Sequence, residues 1–152
     1  MKREIKFNSL YSSSNYTKNL EKLFANYDLF RQKHFSNLCL DLLKEDYPDA
    51  ELMLTHSATG ALEMIALALD IQPGDEVILP SYTFVSTANA FALRGAKLVF
   101  VDIEMATLGI DPVLVEQAIS DKTKAVVAVH YGGKACQIEK LKAIATTYKV
   151  TL

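Results

Sequence analysis

The segment His56-Ser57-Ala58-Thr59-Gly60-Ala61-Leu62 sets two hydroxyls and a glycine just ahead of an apolar run. A small polar turn entering a helix leaves backbone N–H groups at the positive end of the helix dipole. Ser57, Thr59 and Gly60 therefore predict an anion site suited to a phosphate. An ordinary N-cap is the commoner use of the same residue types. Phe84 follows the apolar run ending at Pro80 and begins a helical pattern. A ring there either packs into the core, the commoner fate, or lies flat against a planar ligand. Asp102 ends another apolar run, and His130-Tyr131-Gly132-Gly133 ends a fourth. The two glycines permit close backbone approach to a ligand, or simply a tight turn. His34, His56 and His130 fit no metal-ligand spacing, so no metal site is expected. Without G-x-G-x-x-G, G-x-x-x-x-G-K-[ST] or G-x-S-x-G, neither a dinucleotide, a P-loop nucleotide nor a hydrolase nucleophile elbow is indicated.

The elements that must position these residues alternate. Glu51–Thr55 reads as a strand, and Thr59–Leu69 as a helix apolar almost all round, hence buried. After the turn Gln72-Pro73-Gly74-Asp75 come a strand at Glu76–Pro80, a helix from Phe84 to Leu93 stopped by Gly95, and a strand at Lys97–Asp102. Asp111-Pro112 opens a further helix, Asp as cap and Pro at the first helical position. Ala125–Val129 reads as a strand, Cys136–Tyr148 as a helix, and Val150–Leu152 as the start of another strand. Apolar strands separated by helices are buried on both faces and run parallel, which predicts a three-layer α/β fold with a mostly parallel sheet. Ligands then bind at the carboxyl ends of the strands, where the residues above lie. Residues 1–48 differ: polar and aromatic, with one helix expected over Tyr27–Lys44 bearing one buried face, and a turn at Tyr47-Pro48-Asp49 separating them from residues 49–152.

Composition narrows the class. Sixteen basic against eighteen acidic residues in 152, with the basic ones scattered, give no surface for nucleic acid. No apolar run reaches the ~18–20 residues of a membrane helix, and the charged start has no apolar core behind it as a signal peptide would. Cys39 and Cys136 lie far apart, consistent with two buried thiols in a reducing compartment. A soluble cytoplasmic protein is expected.

Taken in order, Thr55–Leu62, Gln72–Ala90, Arg94–Asp102 and Val129–Gly133 resemble the DegT/DnrJ/EryC1/StrS sugar aminotransferases, and within them the dTDP-4-amino-4,6-dideoxygalactose transaminases. The resemblance covers about residues 50–152. It implies an aspartate-aminotransferase-like large domain and the cofactor pyridoxal 5′-phosphate (PLP), with Thr59, Gly60 and, more weakly, Ser57 at the cofactor phosphate. Phe84 would stack on the pyridine ring, and Asp102 and His130 match recurrent positions, His130 as a candidate substrate contact. The implied reaction moves an amino group from glutamate to the 4-keto carbon of a dTDP-linked 4-keto-6-deoxyhexose, in a homodimer.

The chain departs from that pattern in two places. The Glu-Asp-x-Ala segment and the Schiff-base lysine would both follow Leu152, and none of the thirteen lysines present stands in the lysine's context. An incomplete large domain, inactive alone, is therefore expected, its catalytic residue lying beyond Leu152. At the N-terminal side, Asn19–Asp28 stands where family members carry a Gly-rich stretch. Two further readings remain open: a non-catalytic module pairing with an intact homologue, and a fragment of a PLP-dependent sugar 3-dehydratase.

Overall fold

The computed structural model describes residues 13–31 and 33–152, in two units that meet in sequence between Leu54 and Thr55. The first unit contains helices α1 (Ser14–Ala25), α2 (Tyr27–Arg31) and α3 (His34–Asp46). The single helix expected over Tyr27–Lys44 is thus two. Lys33 adopts a left-handed conformation, φ 52°, which an α-helix cannot carry through. The buried face expected there is also absent: α3 buries no residue, Leu38 and Leu42 are exposed, and Cys39 is an exposed thiol rather than a buried one. Short helices of this length cover one another too little to close a core. The turn at Pro48-Asp49 forms, closed by the Ala50 N–H donating to the Tyr47 carbonyl at 3.2 Å.

The second unit begins with α4 (Ala58–Ala68) and β1 (Glu76–Pro80), then α5 (Val85–Ala92) and β2 (Lys97–Val101). It continues with α6 (Pro112–Ala118), β3 (Thr123–Val126), a 3₁₀ turn at Tyr131–Gly133, and α7 (Ile138–Tyr148). The three strands pair in parallel, in the order β2-β1-β3, with Ile78 opposite Val99 on one side and Val126 on the other. Every residue of β1 is buried, as its unbroken apolar run requires. Alternate residues of β1 serve opposite faces. Val77 and Ala125 pack with Ala66 of α4 and with Ala90 and Phe91 of α5. Ile78 and Val126 pack with Val115 of α6 and Leu141 of α7. The three-layer α/β architecture follows, helices on both faces of a small parallel sheet.

Three expected elements differ. Residues 51–55 pair with no strand among the described residues, because an extended run becomes a strand only when it finds a ladder partner. Beyond β3, Thr151 makes a single parallel bridge to Ala125 in place of the strand expected at Val150–Leu152. Helix α4 is apolar all round yet mostly uncovered: it buries Gly60 and Ala66, while Met64, Ile65 and Leu67 are exposed. Its face toward α5 and the sheet is the one packed in the core of the second unit. Among the described residues no helix is long and apolar enough to cross a membrane.

Candidate functional site

Helices α4 and α5 each run antiparallel to the strands beside them, so their N-termini open at the carboxyl edge of the sheet. By that topology Ser57–Gly60, Ser81–Phe84, Asp102 and the loop after β3 lie toward one edge of the second unit. Connections leave that edge in opposite directions. The chain after β1 enters α5 on one face, whereas the chain after β3 leads to α7 on the other. Such a divergence between adjacent parallel strands opens a crevice at their carboxyl ends, the usual ligand position in this architecture.

The α4 terminus is built by Ser57. Its extended backbone (φ −162°, ψ 160°) makes it the N-cap, and its Oγ accepts from the Gly60 N–H at 3.1 Å. Its carbonyl accepts from the Thr55 hydroxyl at 2.9 Å and from the Ala61 N–H at 3.1 Å. The N-cap reading of this turn therefore holds at Ser57. The cap engages Gly60, while no acceptor among the described residues engages the N–H of Ala58 or Thr59. Those two donors, at the positive end of α4 and beside the Thr59 hydroxyl, suit an anionic oxygen. Ser57 is already committed as cap. Gly60 carries a second constraint, since a Cβ at that position would lie 2.9 Å from Cε1 of the His56 ring. The packing of His56 over the first turn of α4 was not evident in the sequence, where a lone histidine beside a turn carries no signal.

Phe84 stands as N-cap of α5 with 72% of its surface exposed, so the core fate is excluded. The Thr83 hydroxyl bonds the buried Thr87 hydroxyl at 2.9 Å, and the Phe84 carbonyl accepts from the Thr87 N–H at 3.0 Å. The turn carrying the ring is thereby fixed while the ring itself is open to a ligand. At the end of β2, Asp102 accepts from the Ser81 hydroxyl at 3.1 Å, and the Ser81 N–H extends the ladder to the Val101 carbonyl at 2.8 Å. Asp102 is exposed and tied to the segment that leads to Phe84.

The loop after β3 brings in residues that the sequence left unconnected. Tyr131 lies against Tyr82, ring centroids 4.4 Å apart and planes tilted by 35°. A hydrogen bond to Tyr82 raises the Tyr131 phenol above its ordinary range. His130 Nδ1 accepts from the Cys136 N–H at 3.2 Å and lies 3.3 Å from the Cys136 sulfur. Burial pushes the Cys136 thiol up, keeping it protonated. Residue types six apart in a glycine-containing loop give no periodic signal, so this pairing is legible only once the loop is folded. In the first unit an open groove of about 830 Å³ is lined by Leu23, Tyr27, His34, Phe35, Leu52 and Met53. No predicted ligand-binding residue lines it.

Comparison with known proteins finds aminotransferases. The sequence model of the DegT/DnrJ/EryC1/StrS aminotransferase family matches residues 46–152. Over 94 residues the chain is 44% identical to the UDP-2-acetamido-2-deoxy-3-oxo-D-glucuronate aminotransferase of Pseudomonas aeruginosa, covering 62% of this chain and 26% of that protein. NtdA of Bacillus subtilis, solved with the bound cofactor PMP, superposes with a TM-score of 0.59 at 40% identity, over 60% of this chain and 21% of that one. The PLP form of Spr1654 from Streptococcus pneumoniae, described as a sugar aminotransferase, gives 0.58 at 37% identity, over 63% and 25%. The chain thus spans about a quarter of the length of these relatives.

Proposed function

The chain belongs to the DegT/DnrJ/EryC1/StrS aminotransferase family, whose cofactor is PLP, and from that premise we propose that residues 55–152 supply the phosphate seat and one ring face of the cofactor pocket of a sugar aminotransferase. The observation that carries this reading is the first turn of α4. It keeps the Ala58 and Thr59 N–H groups free at a helix N-terminus, at the same sheet edge as an exposed Phe84 ring. An aromatic phosphate ester needs both groups: anion donors and a flat apolar surface.

PLP supplies the electron sink for amino-group transfer. The residues here bind and orient. The Ala58 and Thr59 N–H groups and the Thr59 hydroxyl hold the phosphate oxygens. Ser57 and Gly60 hold the helix end in shape, Ser57 as cap and Gly60 by admitting the His56 ring. The exposed Phe84 ring would offer the flat apolar surface on which the cofactor's ring rests. Asp102, held by Ser81, lies at the same edge.

The proposed reaction is transfer of an amino group from glutamate to a keto carbon of a nucleotide-linked sugar. The 4-keto carbon of a dTDP-4-keto-6-deoxyhexose is the substrate supported by the run of residues from Thr55 to Gly133. The relative from Pseudomonas aeruginosa is named for a UDP-linked 3-oxo sugar, so nucleotide and keto position vary among proteins that share this segment. A homodimer in the cytoplasm completes the proposal, supported by the exposed apolar residues of α4.

Binding of pyridoxine 5′-phosphate and of pyridoxine, neither of which forms adducts with lysine, tests the phosphate seat. The phosphate ester is expected to bind at least about tenfold more tightly, the effect of one charge-assisted hydrogen bond. Equal affinities would overturn the reading.

A further inference from the structure

Residues 130–136 form a loop that closes on itself through a side chain. The Gly133 N–H donates to the His130 carbonyl at 3.0 Å, and the Lys134 N–H to the Tyr131 carbonyl at 3.1 Å. Gly132 and Gly133 take φ of 61° and 82° with open space around them, so the middle of the loop has little packing to hold it. Its far end is fixed. Cys136 is 4% exposed in the core with Ile78, Ile110 and Leu141. It also lies so close to Gly109 that any Cβ there would overlap it. His130 bridges the fixed end to the free one by accepting the Cys136 N–H on Nδ1.

A backbone N–H has no choice of role: it donates. Nδ1 of His130 must therefore be bare, and in the neutral ring the proton resides on Nε2. The buried Cys136 thiol, kept protonated, adds a weak second donor to the same nitrogen. His130 itself is exposed. Nδ1 is the nitrogen turned to Cys136, which leaves Nε2 as the ring nitrogen without a contact to it. Tyr131, the next residue, lies tilted against Tyr82, which follows β1.

We propose that His130 is a tautomerically fixed hydrogen-bond donor, held by Cys136 as a positioning residue, which presents Nε2–H to an anionic oxygen of the ligand at the sheet's carboxyl edge. The ligand half of this rests on the proposed function; the tautomer half does not. Two components of that reaction carry such oxygens, the diphosphate of the nucleotide sugar and the carboxylates of the amino donor. Fixing the proton on the outer nitrogen makes His130 a donor and not a proton acceptor toward either.

The test is long-range ¹H–¹⁵N spectroscopy of the imidazoles in the ¹⁵N-labelled chain. His130→Asn identifies the His130 signals by their loss, with His34 and His56 as internal references. A protonated Nε2 and bare Nδ1 are expected at His130, and titration with dTDP or with glutamate is expected to shift the Nε2 signal. A response to dTDP alone assigns the diphosphate; a response to glutamate alone assigns the amino donor. His130→Asn keeps an acceptor in the Nδ1 position but lacks the outer N–H. It is expected to retain the Tyr82–Tyr131 ring contact, read as nuclear Overhauser effects, while binding the effective ligand about tenfold more weakly. A protonated Nδ1, averaging between tautomers, or a signal unmoved by both compounds would overturn the proposal. The proposed function fails by a different result, equal binding of pyridoxine and its phosphate.

Discussion

Thr59 and Gly60 share a helical turn, yet only Thr59 keeps its N–H free for a ligand, because Ser57 Oγ already holds that of Gly60. Ser57→Ala should therefore act mainly through the helix, at about 1 kcal/mol of stability. Thr59→Ala should weaken pyridoxine 5′-phosphate several-fold, with little change in the melt. Calorimetry and thermal unfolding of the two variants separate these roles. The two cysteines differ just as sharply. Cys39 is exposed, whereas burial lifts the Cys136 thiol and packs it against Gly109. Titration with a chromogenic disulfide should show one thiol reacting at once and the other only as the fold opens, since the thiolate is the reactive form. At Tyr131 the phenol is raised chiefly by its bond to Tyr82. Its neutral form is thus favoured by folding, and that contribution is present below the ordinary phenol value and is lost as pH rises through the folded one. Tyr82→Phe should let Tyr131 ionise at lower pH, followed by tyrosinate absorbance.

Elements bounded by backbone punctuation are the ones readable in advance. β1 occupies Glu76–Pro80 as expected, since the Pro73-Gly74 turn precedes it and Pro80 closes an unbroken apolar run. α6 starts where Asp111 and Pro112 require, the Asp111 carboxylate accepting the Val113 N–H at 2.9 Å. Gly95, expected to stop α5, takes φ 85° behind it, and a Cβ there would lie 2.9 Å from Pro73 Cγ. Gly95→Ala should cost about 1–2 kcal/mol through that backbone, read from urea unfolding with unchanged m-value. Elements that depend on a neighbour were not readable. Glu51–Thr55 has a strand's composition without a ladder partner, and α4's apolar surface exceeds what α5 and the sheet cover. The break at Lys33 was hidden because apolar spacing runs straight through it. The positions of Phe84, Asp102 and His130 just beyond strands were legible from the apolar runs before them, whereas the strand expected ahead of Thr59 does not form. The contacts that hold the candidate residues, His56 on Gly60, Ser81 on Asp102 and Cys136 on His130, join residues without a shared period.

The second unit as a whole is a sheet clamped at its amino edge. Its amino edge is held by Glu76, 7% exposed, whose carboxylate accepts from Lys97 Nζ at 2.7 Å and from the Ser120 hydroxyl at 2.7 Å, joining all three strands' entries. These bonds, the one from Lys97 foremost, hold the Glu76 carboxyl below its ordinary range. A lowered folded value gives stability that is present above the ordinary carboxylate pKa and is lost as pH falls through the folded one. The stability gap between the wild type and Glu76→Gln should thus be largest near neutrality and close in acid, measured by urea unfolding across pH. Among the described residues no buried carboxylate ties the strands together at the carboxyl edge, the proposed position of the ligand. The most direct test of that division is amide mapping over the whole chain during titration with pyridoxine 5′-phosphate. The largest shifts are predicted at Ala58 and Thr59, with a second group at Phe84 and its neighbours, and none of comparable size in the first unit. Shifts centred away from the α4 N-terminus, or equal shifts with unphosphorylated pyridoxine, would contradict the account.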